Sequence, residues 1–185
     1  MSLIRNGYAV SARWEFLGVL FSALLTLALF DPGAATAQEV KQIKLTEKHI
    51  QGFMAASKDM ARLYDGADLN KPDPKVDAQA AAIAKKNGFA SLAEYDGASM
   101  NISIIMFGID PQTKTFTEPP DQIKKQIAAL KIDKSVSEAE KKEDLAELEA
   151  ALKNAKPVQF KENIALVLKY FDKLLTEQDS SRPAD

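Results

Sequence analysis

Few side chains in this sequence are of the kinds that do chemistry near neutral pH. His49 is the only histidine and there is no cysteine. As a general base, His49 would need a serine or threonine nucleophile, yet no GxSxG elbow or comparable nucleophile motif accompanies it. It flanks the apolar stripe of a helix, and a surface histidine is the simpler reading. Metal chemistry fares no better, because HExxH and acidic calcium loops are both missing. Asp68–Asp73, DLNKPD, begins with acids but lacks the glycine and closing glutamate of an EF-hand loop. Met54 and Met60, like Met100 and Met106, stand six residues apart and so project from different faces of a helix. That spacing suits core packing rather than copper. Carboxylates are plentiful, but their pairing depends on the fold, so abundance alone assigns none. No glycine-rich phosphate loop occurs. The reading is of a protein without cofactor, metal or catalytic residues.

Binding is then the expected mode of action, and two stretches carry the candidates. Gly108–Pro119, GIDPQTKTFTEP, is the longest stretch between helices without a helical pattern. Loops of this length are often functional. Asp110 opens its turn, and Phe116 is an aromatic in polar company. Phe116 reads first as a plug over the bundle end and second as an exposed binding aromatic. On the preceding helix, Met100, Ile104, Met106 and Phe107 are the residues that would line a pocket for a small apolar ligand. The expected partner is therefore a protein, met in a chaperone-like or inhibitor-like way through the Gly108–Pro119 loop and the charged hairpin of the fourth and fifth helices, or else a small apolar molecule.

The elements that must position these residues are helical. Ser91 and Glu94 form a capping box, so a helix starts at Leu92 and runs to a stop at Gly108. Leu92, Tyr95, Ser99, Ile102, Ile105 and Met106 recur at helical spacing, and Met100, Ile104 and Phe107 fall off that stripe. A helix apolar on most sides belongs at the centre of a bundle. The alternative for Asn101–Thr117 is a β-hairpin turning at Asp110 and Pro111, since Asn101–Phe107 is rich in isoleucine and Thr113–Thr117 alternates. A lone hairpin is marginal, and no third strand candidate exists. Gly97 weakens the helix by about 1 kcal/mol relative to alanine.

Around this centre, Thr46 caps a helix bearing Ile50, Phe53, Met54, Ser57, Ala61 and Tyr64, with Gly66 as its exit. Asp73 and Pro74 open the next, with Val76, Ala80, Ile83 and Ala84 inward and Asn87–Gly88 as its end. A fourth helix starts near Pro120 with Ile123, Ile127 and Leu130. Ser137 and Glu140 cap a fifth with a narrow seam of Leu145, Leu148, Leu152 and Ala155. Pairs such as Glu138 with Lys142 account for its charge without a partner. The last helix carries Phe160, Ile164, Val167, Leu168, Phe171, Leu174 and Leu175 on one stripe.

The N-terminus has its own signature. Arg5 and Arg13 precede the uncharged run Leu17–Phe30, and Ala35-Thr36-Ala37 completes a secretory signal peptide cut after Ala37. Fourteen residues in that run fall short of the roughly 20 that a membrane span needs, so no anchor is expected after cleavage. An exported chain without cysteine fits a bacterial periplasm. Residues 38–178 then make a single all-α domain of about six helices, with 179–185 as a disordered tail. The leader holds two basic and two acidic residues, so the charge of −2 is the same with or without it. Balanced charge argues against a nucleic-acid partner.

The segments GFASLAEY (Gly88–Tyr95), IDPQTKTF, and QIKKQIAALKIDKSVSEAEKKEDLAELEAAL resemble a group of uncharacterised exported all-helical proteins of Gram-negative bacteria. The likeness spans most of the chain after the leader. It implies the fold and the address, and brings no catalytic or ligand residues.

Overall fold

The structure, a computed structural model, describes residues 41–65, 67, 71 and 73–180, with backbone only for 178–180. The leader assigned to 1–37, the Gly66 exit, and residues 181–185 of the tail lie outside the described residues. What is described belongs to one unit, Val40–Asp185. It holds six helices: α1 (Glu47–Tyr64), α2 (Pro74–Lys86), α3 (Leu92–Gly108), α4 (Pro119–Ile132), α5 (Glu138–Asn154) and α6 (Glu162–Ser180). Among the described residues there is no strand, so the all-α expectation holds. The helical backbone of α6 runs through Ser180, beyond Asp179 where the tail was expected to begin.

Helix starts follow their caps. The Thr46 hydroxyl accepts from the His49 amide at 3.2 Å, and His49 Nδ1 accepts from the Thr46 amide at 3.3 Å, a capping box in which histidine replaces the usual glutamate. Asp73 accepts from the Lys75 amide at 2.8 Å, with Pro74 in the first turn where its missing N–H costs nothing. Ser91 accepts from the Glu94 amide at 3.1 Å, but the Glu94 carboxylate takes the amide of Ala90 rather than that of Ser91. Ser137 and Glu140 make the complete reciprocal box. The end of α2 needs a left-handed residue, and Gly88 supplies it at φ +92°.

α3 is the central element. It packs against α1, α2, α4 and α6, and the only helix it does not meet is α5. Being enclosed explains why an isoleucine-rich segment with high strand propensity is helical here: burial on several sides overrides the local preference. All that remains of the alternative hairpin is one antiparallel bridge, Ile109 with Phe116, closed by Asp110 N–H to Thr115 C=O at 2.9 Å.

The main core gathers Ile50, Phe53, Ala56 and Met60 of α1, Ala80 and Ala84 of α2, Ile102, Ile105 and Met106 of α3, and Val167, Phe171 and Leu174 of α6. The stripe on α1 is thus rotated from the expected one: Ala56 and Met60 are buried while Ser57 and Ala61 are half-buried. Phe107, Ile123, Leu130 and Leu148 are buried outside this cluster. They mark a smaller apolar contact where α4 and α5 are attached.

Two glycines set opposite expectations. A Cβ on Gly52 would lie 2.5 Å from the Asn87 carbonyl and 2.9 Å from the Phe89 ring, so Gly52→Ala must push the α2–α3 turn away. A Cβ on Gly97 meets only Ile43 Cδ1, at an ordinary 3.9 Å. In urea titrations Gly52→Ala is expected to lose about 1–3 kcal/mol, and Gly97→Ala to gain up to about 1 kcal/mol.

Candidate functional site

The residues singled out in the sequence fall into different surroundings. Met106 and Phe107 are buried, whereas Met100 and Ile104 are half-buried. Ile104 packs on the main core with Met106, and Phe107 stands outside that cluster. Among the surface depressions of the described residues, one is formed by Gln51, Met54, Ala55, Lys173, Thr176 and Glu177 and another by Lys131, Glu138, Lys141, Lys142, Leu145, Ala146 and Glu149. Neither is lined by the central-helix residues.

Asp110 and Phe116 come together in the loop between α3 and α4, both half-buried. Asp110 Oδ1 accepts from the amides of Gln112 and Thr113, each at 2.9 Å, which fixes the turn. The Phe116 ring lies where a side chain on residue 108 would be, with one ring carbon 2.5 Å from the position of such a Cβ. Phe116 thus sits over the end of α3 and packs on the core, the plug arrangement. Lys114, at φ 57°, pairs with Asp172 and places its Nζ 4.3 Å from the centroid of Phe171, tying the loop to α6.

His49 is drawn into the fold. Its Nδ1 serves the α1 cap, its Nε2 faces Glu94 Oε1 at 3.5 Å, and its ring stacks on Phe89 with centroids 6.1 Å apart. Tyr95 packs edge-on against Phe89 and stacked with Phe53. Burial, reinforced by the nearby Asp96 and Tyr64, pushes its phenol from 10.0 to about 12. The unfolded chain therefore releases this proton first, and stability falls as pH rises from the unfolded value through the folded one. That difference corresponds to about 2–3 kcal/mol. Tyr95→Phe is expected to lose less stability than the wild type between pH 10 and 12, read by thermal melts across that range.

Three of the carboxylates pulled below their ordinary range are engaged in local structure, whereas Glu47 is held down by Lys169 and Tyr170 of α6, and Glu162 by its own backbone amide and Lys44. Asp133 is held down by the hydroxyl and amide of Ser135, Glu140 by those of Ser137, and Glu94 by the Ala90 amide. Among the described residues, no group of three or more histidine, cysteine, aspartate or glutamate side chains is placed to hold a metal ion.

Two features escaped the sequence reading. The first is the attachment of the α4–α5 hairpin: α5 packs on no helix but α4, and α4 reaches the bundle through α3. At the turn of this hairpin Ile132 is 79% exposed, beside an Asp133–Ser135 turn closed by bonds of 2.6 and 2.7 Å. The second is the strap Lys41–Thr46 ahead of α1, which two buried asparagines hold by its main chain. Asn101 accepts from the Ile43 amide at 3.1 Å and donates to the Lys41 carbonyl at 3.1 Å. Asn163 accepts from the Leu45 amide and donates to the Ile43 carbonyl, both at 2.8 Å. The signal available was a polar residue inside each of the two most apolar helical stripes.

Compared with known protein families, curated proteins and solved structures, the chain finds no match. No helix among the described residues is long and apolar enough to cross a membrane.

Proposed function

We propose that the protein is a non-catalytic binding protein of the periplasm that engages a protein partner through the α4–α5 hairpin. The observation that carries this reading is the hairpin's attachment by one of its two helices, which leaves most of α5 facing solvent. Of that helix only Leu148 is buried, at 8% exposure; Leu145 and Leu152 are half-covered. The depression there is lined by Leu145 and Ala146 together with Lys131, Lys141, Lys142, Glu138 and Glu149. Aliphatic side chains left in reach of solvent are what a protein contact buries. Ile132 at the turn adds an aliphatic side chain that makes little use of its own fold. The periplasmic address rests on the leader, and the partner is accordingly an exported or envelope protein.

The test is recovery of partners from periplasmic extract by the immobilised wild type and by Ile132→Asp combined with Leu145→Ser. The variant is expected to recover at most about a tenth of the partner, as loss of an interface anchor of 1.4 kcal/mol or more implies, while its circular dichroism stays helical. Equal recovery by both proteins would remove the hairpin from the account.

A further inference from the structure

We propose that the channel filled by Lys41–Thr46 is a binding site for an extended peptide segment of another chain, read through its main chain, and that the protein's own strap is its resident ligand.

The channel is built from groups that recognise backbone. A side-chain amide offers a donor and an acceptor side by side, as a neighbouring strand does, and two such amides follow the strap here. Asn101 and Asn163 are only 3% and 1% exposed. Between them they satisfy the amides of Ile43 and Leu45 and the carbonyls of Lys41 and Ile43. Asn101 also donates to the Gly97 carbonyl at 2.8 Å.

Little is asked of the strap's side chains. Leu45 is buried, Ile43 is half-buried, and Lys41 and Lys44 are exposed. The requirement is an aliphatic residue at alternate positions, a pattern met by many extended segments. Three polar side chains add contacts of their own: the Gln42 amide reaches the Pro157 carbonyl and the Gln159 amide at 2.9 and 2.7 Å, Lys44 makes a solvent-exposed pair with Glu162 at 2.9 Å, and Thr46 caps α1.

Buried amide bonds add only modestly to stability over well-packed apolar contacts. What they add is register along a peptide backbone, the property that strand-addition sites use. Release of Lys41–Leu45 breaks the bonds to Asn101 and Asn163 and withdraws Leu45 from the core, while Thr46 stays in place as the cap of α1 and the hydrogen-bond ladders of the six helices stay intact. The strap can therefore open without unfolding the bundle. A competing segment binds with its intrinsic affinity reduced by the fraction of protein in which the strap is closed.

The probe is a fluorescent peptide with the sequence of residues 40–46, VKQIKLT. It is titrated into the full chain and into Ile43→Ser/Leu45→Ser, which weakens the strap and leaves the channel residues unchanged. The variant is expected to bind at least about tenfold more tightly than the wild type, because its channel is open more of the time. Adding Asn163→Ala is expected to abolish that binding. N-methylation of the peptide at its isoleucine and leucine amides is expected to do the same, whereas replacing both peptide lysines by alanine is expected to leave it unchanged. Equal weak binding by wild type and folded variant overturns the proposal, and so does undiminished binding of the N-methylated peptide. If the variant does not fold, hydrogen exchange in the wild type decides. Ile43 and Leu45 amides exchanging well ahead of the α3 and α6 interiors support an opening strap, and exchange only on global unfolding overturns it.

Discussion

A chain ended before Phe160 is expected not to fold. The truncation removes α6 with Val167 and Leu174 fully buried and Phe171 at 2% exposure, three of the side chains that close the main core. Each deleted large core side chain is worth about 2–5 kcal/mol. Their sum is as large as the whole stability of an ordinary domain, about 5–15 kcal/mol. The loss is compounded because α6 packs against both α1 and α3, so each of the two loses a neighbour that covers its apolar face. The truncated protein is expected to lack a cooperative melt and to bind a hydrophobic dye, whereas a chain ended after Ser180 keeps its transition.

Replacing Asn163 by alanine is the largest effect expected of a single polar substitution. The change orphans the Leu45 amide and the Ile43 carbonyl, both now served at 2.8 Å. Leaving a buried donor or acceptor unmet costs about 1–3 kcal/mol, so the pair amounts to roughly 2–6 kcal/mol unless the strap leaves and becomes hydrated. Asn163→Leu separates the two contributions, because it restores volume without restoring bonds. Chemical denaturation is expected to find Asn163→Leu nearly as unstable as the alanine variant. Recovery to within about 0.5 kcal/mol of wild type, the range of neutral substitutions, would mean that packing at this position matters and the amide does not.

Much of this architecture can be read from local sequence. Thr46, Asp73, Ser91 and Ser137 each cap the helix they announce, because a cap is settled within four residues of chain. The inward stripes of α3 and α6 are legible for the same reason. Less legible is whatever depends on partners far away in sequence. Asn101 and Asn163 meet the strap across 58 and 118 residues, and nothing near either asparagine announces the strap. Gly52 looks like an ordinary weak point of a helix until the α2–α3 turn is seen to lie against it. His49 reads as a bystander because a histidine at the third position of a helix is not a usual partner in a capping box. For Phe116 a plug and an exposed aromatic are both readable from the sequence, and the Lys114 contacts that hold its loop down depend on α6 and have no local signature.

The candidate binding surfaces show the same division. The charges of α5 are explained by pairs such as Lys141 with Glu138, at 2.9 Å, and carry no information about a partner. What sets the hairpin apart is that α5 lacks a second neighbour, a property of topology rather than of residue type. Ile132 was one isoleucine among many in the sequence, and only the position of the turn leaves it in water.

Native-state hydrogen exchange on the full chain tests the central division between a bundle of α1, α2, α3 and α6 and a hairpin attached through α4. The account predicts that amides of α5 and the outer half of α4 exchange through an opening of distinctly lower free energy than those of α3 and α6, and with less response to denaturant, since less surface is exposed. A single common opening free energy for all six helices would contradict it, for the hairpin would then be part of the core rather than an element the core carries.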